Sequence, residues 1–297
     1  MKPLLIILGG ATGSGKTDLA IELAVHFKTA VISADSRQCY REMSIGTAKP
    51  DQEQLKRVPH YFIDSHSIHE PVNAGIFVEY ARNLLAELFS KHSIVVMAGG
   101  TGLYLHALTE GIDELPSVRP EIRLTISDQY NTHGISYLQK IVSVADPEYF
   151  DKVDRKNPAR LMRAAEIILQ TDRPYSCFLK KAQHELPFDT LRLVPELDRK
   201  ALYHRIDQRV DKMMETGFEA EARSLFPFAD LKALQTVGYS EMFDHFRGQQ
   251  DLRTTVSLIK QHTRNYAKRQ LTWFRNKALY RFVPQDELVQ FVIESRH

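Results

Sequence analysis

The chain has 297 residues, of which 43% are hydrophobic and 26% charged. That balance belongs to a folded globular protein and excludes a disordered one. No apolar run reaches the roughly 20 residues of a membrane helix. The two cysteines, Cys39 and Cys177, give neither a disulfide framework nor zinc-ligand spacing, so a reduced, cytoplasmic protein without membrane association is expected.

Residues 4–8 are an apolar strand stopped by Gly9 and Gly10. Residues 18–27 follow as a helix with Leu19, Ala20, Leu23, Ala24 and Phe27 on one face. A second strand, 30–33, ends just before Asp35, and a helix is expected over 77–89. A third strand, 93–98, ends in Gly99-Gly100-Thr101-Gly102. This alternation predicts an α/β fold: a P-loop NTPase-like parallel sheet with helices on both faces. The character changes near Asp113, after which only helix signals occur as far as Phe188. Pro120 opens a helix over 121–130, a second covers 136–144, and Asn157 caps a third that begins at Pro158 and reaches 170. A small all-helical insertion over residues 114–189 is therefore expected, with residues 1–113 and 190–297 forming the core. The remaining expectations are a strand at 191–194 and helices at 199–215, 219–224, 240–246 and 254–275.

Gly10-Ala11-Thr12-Gly13-Ser14-Gly15-Lys16-Thr17 fits G-x-x-x-x-G-K-[ST] between a strand and a helix. The glycines let successive N–H groups face a phosphate, and the helix N-terminus adds partial positive charge. Lys16 supplies a point charge, and the Thr17 hydroxyl can hold Mg²⁺. The motif specifies phosphate rather than ATP, because the third strand ends without the carboxylate an ATPase uses to organise its metal. The carboxylate follows the second strand instead, as Asp35. In a parallel sheet these strand ends share one crevice, so Asp35, Thr101 and the phosphate site should converge. Asp35 is either a general base for an acceptor or a strand-end cap.

The net charge of +2 conceals one uneven region. Residues 252–285 contain no acid and eight bases: Arg253, Lys260, Arg264, Lys268, Arg269, Arg275, Lys277 and Arg281. On a helical projection Ile259, Tyr266 and Trp273 lie roughly 140° from the centre of the face formed by Arg253, Lys260, Arg264, Lys268 and Arg275. One face should pack on the core while the other is solvated or meets anions. The twelve histidines are scattered without ligand spacing and are read as structural.

A series of ordered blocks carries a resemblance to a known family. They are the P-loop, Asp35-Ser36-Arg37-Gln38-Cys39-Tyr40, Gly46-Thr47-Ala48-Lys49-Pro50, Val58-Pro59-His60, Gly99 to Tyr104, Asn157 to Glu166, Thr171-Asp172-Arg173-Pro174, Gly217-Phe218 with Glu221-Ala222-Arg223, and Val237-Gly238-Tyr239 with Tyr266 to Arg275. Together they resemble the tRNA dimethylallyltransferases, also called tRNA isopentenyltransferases, of bacterial type. Ala11, Gly13, Tyr61 and Asp172 depart from the usual pattern without removing a catalytic side chain.

The resemblance implies transfer of a dimethylallyl group from dimethylallyl diphosphate to the N6 amine of the adenine immediately 3′ of the tRNA anticodon, with Mg²⁺ as cofactor. It implies that Lys16, Thr17-bound Mg²⁺ and Arg223 stabilise the diphosphate leaving group. Asp35 would take the N6 proton, with Thr101 near the amine. Ser36, Arg37 and Gln38 would meet the adenine or its neighbours. Arg123, Ala159, Arg160, Arg163, Gly238, Tyr239, Lys268, Arg269 and Arg275 would contact the anticodon stem-loop, although Arg163 could equally pair with Glu166. A monomer is expected. Two alternatives remain: a dimethylallyltransferase acting on free adenylate, and a P-loop small-molecule kinase.

Overall fold

The computed structural model describes residues 2–113, 115–179 and 185–295. Six strands are present among them: β1 (Leu4–Gly9), β2 (Val31–Ser33), β3 (His60–Tyr61), β4 (Ile94–Gly99), β5 (Asp189–Glu196) and β6 (Arg281–Pro284). They form one parallel sheet in the order β3-β2-β4-β1-β5-β6. The helices are α1 (Lys16–His26), α2 (Gln52–Arg57), α3 (Ala74–Phe89), α4 (Gly102–Glu110), α5 (Pro120–His133), α6 (Ile135–Ala145), α7 (Pro147–Lys152), α8 (Pro158–Thr171), α9 (Arg199–Glu215), α10 (Phe218–Leu225), α11 (Tyr239–Phe246), α12 (Leu252–Arg275) and α13 (Leu288–Glu294).

The chain divides into two compact units, Met1–Thr109 with Glu185–His297, and Glu110–His184. In the first, side chains alternate across the sheet as strand geometry requires. Leu5 and Ile7 join a core with Phe77, Leu85, Ile259 and Phe274 from α3 and α12. Leu4, Ile6 and Leu8 join a second core with α1 and α13, through Leu19, Leu23, Leu288 and Val292. Both faces of β1 are therefore dry, which explains its unbroken apolar sequence.

The second unit has its own core of Ile126, Leu138, Val142, Leu161, Ala165 and Ile168. Asp146, only 2% exposed, caps α7 by accepting from Tyr149 N–H at 3.0 Å. It also accepts from Ser176 N–H at 2.6 Å and from its hydroxyl at 3.0 Å. The unit ends before the expected residue 189 because Leu186 and Phe188 pack into the first unit's core. Glu114 and residues 180–184, which fall within the expected insertion, lie outside the described residues.

The main helices fall where periodicity places them, and α9 matches its expected bounds. Six elements went unanticipated: α2, β3, α4, α7, β6 and α13. They are short, and the strands β3 and β6 carry too few apolar residues to signal themselves. β6 is held at the sheet edge by pairing with β5.

Candidate active site

The register of the sheet brings three loops to one crevice. Gly9 of β1 pairs with Gly99 of β4, and Ser33 of β2 pairs with Ala98. The chain therefore leaves β1, β2 and β4 at the same edge, carrying the P-loop, Asp35 and Gly100-Thr101. A cleft of about 580 Å³ opens there, lined by Lys16, Thr17, Asp35, Arg37, Gln38 and Arg209 among others.

Gly13 and Gly15 hold left-handed conformations (φ 79° and 76°) that turn the loop into the start of α1. Ser14 donates its hydroxyl to Ala11 O at 2.8 Å. Lys16 Nζ folds back onto the same carbonyl. Loss of water around this ammonium pushes its pKa down to about 7, against the pull of the Asp35 carboxylate, while Arg209 lowers it further. An anion in the loop would restore the charged form.

Asp35 caps the turn that follows it. Its Oδ1 accepts from Arg37 N–H at 2.8 Å and Gln38 N–H at 3.4 Å, while Thr101 Oγ1 accepts from Ser36 N–H at 3.0 Å. The carboxylate is thus both a cap and part of the cleft wall. Gln38 donates to Thr47 O at 3.4 Å and Ala48 O at 3.2 Å. Arg37 reaches Ala233 O at 3.1 Å.

Two cleft residues carry no expectation from the sequence. Arg209 lines the cleft from α9 and donates from Nη2 to Thr47 O at 3.0 Å. Burial weighs against its charge, and the facing Asp35 carboxylate supports it. The spacing of Arg205 and Arg209 was the available signal, since residues four apart share a helix face. Gln270, 7% exposed on α12, ties two loops together. Its Oε1 accepts from Thr12 N–H at 2.9 Å and its Nε2 donates to Gly100 O at 2.9 Å.

Arg223 does not reach the cleft. Its side chain is 59% exposed, paired with Glu219 at 3.3 Å and stacked over the Phe246 ring at 4.0 Å. The face of α10 that carries it points outward, whereas Arg209 of α9 lines the cleft. Tyr239 is fully buried and donates its hydroxyl to Glu221 at 2.6 Å, so it is unavailable to RNA. Gly238 beside it does line the cleft.

Helix α12 also differs in detail. Tyr266 faces the cleft instead of the core. Lys260 and Arg264, expected on an anion-binding face, pair with Asp211 (2.6 Å) and Asp207 of α9. Lys268, Arg269 and Arg275 remain exposed. In the second unit Arg123, Ala159 and Arg160 are exposed, and Arg163 pairs with Glu166 at 3.3 Å. Among the described residues no cluster of three or more His, Cys, Asp or Glu is placed to hold a metal. No helix among them is long and apolar enough to cross a membrane.

Comparison with known proteins agrees with this geometry. The family model described as IPP transferase matches residues 38–277. A tRNA dimethylallyltransferase of Christiangramia forsetii is 46% identical over 97% of this chain and 95% of its own. One from Cytophaga hutchinsonii is 45% identical over 96% and 94%. The crystal structure of a tRNA isopentenylpyrophosphate transferase from Bacillus halodurans superposes with a TM-score of 0.72 at 32% identity, covering 100% of this chain and 96% of that one. With a P-loop, a strand-end aspartate and a buried arginine around one cleft, and relatives of this similarity along nearly its whole length, the chain belongs to the IPP transferase family.

Proposed function

We propose that the protein is a tRNA dimethylallyltransferase, moving a dimethylallyl group from its diphosphate to the N6 amine of the adenine 3′ of the anticodon. The observation that carries this reading is the meeting of Asp35 with Lys16 and Arg209 in one cleft. Cleavage of the donor's carbon–oxygen bond leaves negative charge on the diphosphate. Lys16, Arg209 and the N–H groups at the start of α1 face the position where that charge grows. The adenine amine is a weak nucleophile, because its lone pair is delocalised into the ring. Asp35, anchored through Oδ1 by two backbone N–H groups, has Oδ2 to take the N6 proton as the carbon–nitrogen bond forms.

The donor set fits Mg²⁺. Thr17 lines the cleft beside Lys16 and carries a hydroxyl oxygen, and Mg²⁺ is commonly held by few protein oxygens together with substrate phosphates. Bound there, it would neutralise diphosphate charge. The base must leave its stack to reach Asp35; Arg37, Gln38 and Gly238 line the cleft there, and Ser36 and Thr101, hydrogen-bonded to each other beside Asp35, are proposed to support that entrance. Lys268, Arg269 and Arg275, with Arg123, Ala159, Arg160 and Arg163 of the second unit, are the proposed contacts to the tRNA backbone. The protein acts in the cytoplasm as a monomer.

A labelled-donor assay tests the reading. Dimethylallyl diphosphate is supplied with tRNA or with AMP, and ATP is supplied alone. Label is expected in tRNA only, at an adenine 3′ of the anticodon. Label in AMP, or ATP turnover without a prenyl donor, would overturn it.

A further inference from the structure

Glu221 sits on α10, behind the cleft wall and outside its lining, and both its oxygens are saturated with donors. Oε2 accepts from Ser44 N–H at 3.0 Å and Ile45 N–H at 2.7 Å. Oε1 accepts from Gly46 N–H at 2.9 Å and from the Tyr239 hydroxyl at 2.6 Å. Three consecutive backbone N–H groups converging on one anion form a nest, here filled by the chain's own carboxylate. Burial and the adjacent carboxylate raise the Tyr239 pKa, keeping its phenol a donor.

The loop so gripped also lies flush against α10 and α11. A Cβ on Gly46 would collide with the rings of Phe218 and Tyr239. One residue further on, Thr47 O accepts from Arg209 and from Gln38, and Ala48 O accepts from Gln38 again. Ala48 holds a left-handed φ of 43°, a conformation that needs external support in a non-glycine residue. A continuous path of hydrogen bonds therefore runs from Glu221 through the backbone of 44–48 to the guanidinium in the cleft.

We infer that Glu221 is a positioning residue: through the 44–48 loop it sets Arg209, and with it the seat of the donor's diphosphate. The inference rests on the proposed role of Arg209 in meeting that group. It gives the acid of the Gly217–Arg223 block a task that the exposed Arg223 does not have.

Glu221→Gln tests it, because the amide keeps the volume but turns a donor toward the loop's N–H groups. With Mg²⁺–pyrophosphate as the probe, calorimetry is expected to show roughly tenfold weaker binding, as for one lost charge-assisted contact. KM for dimethylallyl diphosphate should rise in step, with tRNA affinity unchanged. In an Arg209→Ala background the same substitution should weaken pyrophosphate binding no further, since the path ends at Arg209. A merely structural role would lower the melting temperature and leave this non-additivity absent. Tyr239→Phe, which removes one of the four donors, is expected to give a smaller loss of the same kind and carries the test should Glu221→Gln not fold. Unchanged pyrophosphate affinity, or equal losses in both backgrounds, would overturn the inference. Failure of the functional reading shows differently, as no transfer by the wild-type protein, while the pyrophosphate measurement still decides the role of Glu221.

Discussion

Two arginines separate what a motif offers from what the fold uses. Arg209 should be required and Arg223 dispensable: Arg209→Ala is expected to lower kcat/KM about 10²- to 10³-fold, the scale of a lost transition-state donor. Arg223→Ala, which removes an exposed ion pair, should stay within a fewfold of wild type. Parallel steady-state assays check both, and the reverse order would return the role to α10. For Asp35, Asp35→Asn keeps the turn's acceptor and removes the base. Its kcat is expected to fall roughly 10²- to 10⁴-fold with donor KM almost unmoved. Near-normal kcat would leave Asp35 as a cap only, and rescue by high Mg²⁺ would make it a metal organiser. Asp35 was legible because a carboxylate directly after a buried strand has few destinations. Arg209 was not, because a helical arginine reads as a solvated charge until its partner is known. That partner, Thr47 O, lies 162 residues away.

Helix α12 shows the same division one level up. Its existence and length follow from periodicity, but its buried side includes a polar residue that no hydrophobic projection selects. Gln270 is buried because each end of its carboxamide meets a backbone group of a different loop. Gln270→Leu keeps most of the volume, strands Thr12 N–H and leaves Gly100 C=O with Gly102 N–H as its remaining donor. The expected cost is about 1–3 kcal/mol of stability, seen in thermal melts, together with weaker pyrophosphate binding. An unchanged melt would mean that water replaces the amide without loss. The helix's charges also split. Lys260 and Arg264 are engaged with α9, whereas Lys268 and Arg275 are exposed. Charge reversal at Lys268 and Arg275 should flatten the slope of log K for tRNA against log salt by roughly one unit per contact. Arg264→Ala should leave that slope alone, and an unaltered slope in the double reversal would make this face merely solvated.

Across the whole molecule the cleft draws only on the first unit, since its lining residues all lie within Met1–Thr109 or Glu185–His297. The second unit holds a separate core. Pyrophosphate with Mg²⁺ should therefore increase amide-exchange protection in the P-loop, the 35–38 turn, α9 and α12, through the linkage of binding to stability. The amides of α5 to α8 should be unaffected; protection spreading to them would show that the two units open together. The division was readable from the loss of strand signals after Asp113. Its far edge was not, because Leu186 and Phe188 belong to the sheet's core by packing alone.

One consequence concerns how such a protein can diverge. The second unit is a single uninterrupted segment spliced between α4 and β5, while the first is assembled from both ends of the chain. Because α4 and β5 flank the splice, lengthening, shortening or replacing the segment leaves the pairing of every strand untouched. The inserted segment and the phosphate cleft thereby become separately heritable: the one can drift without unsettling the strands that place the other.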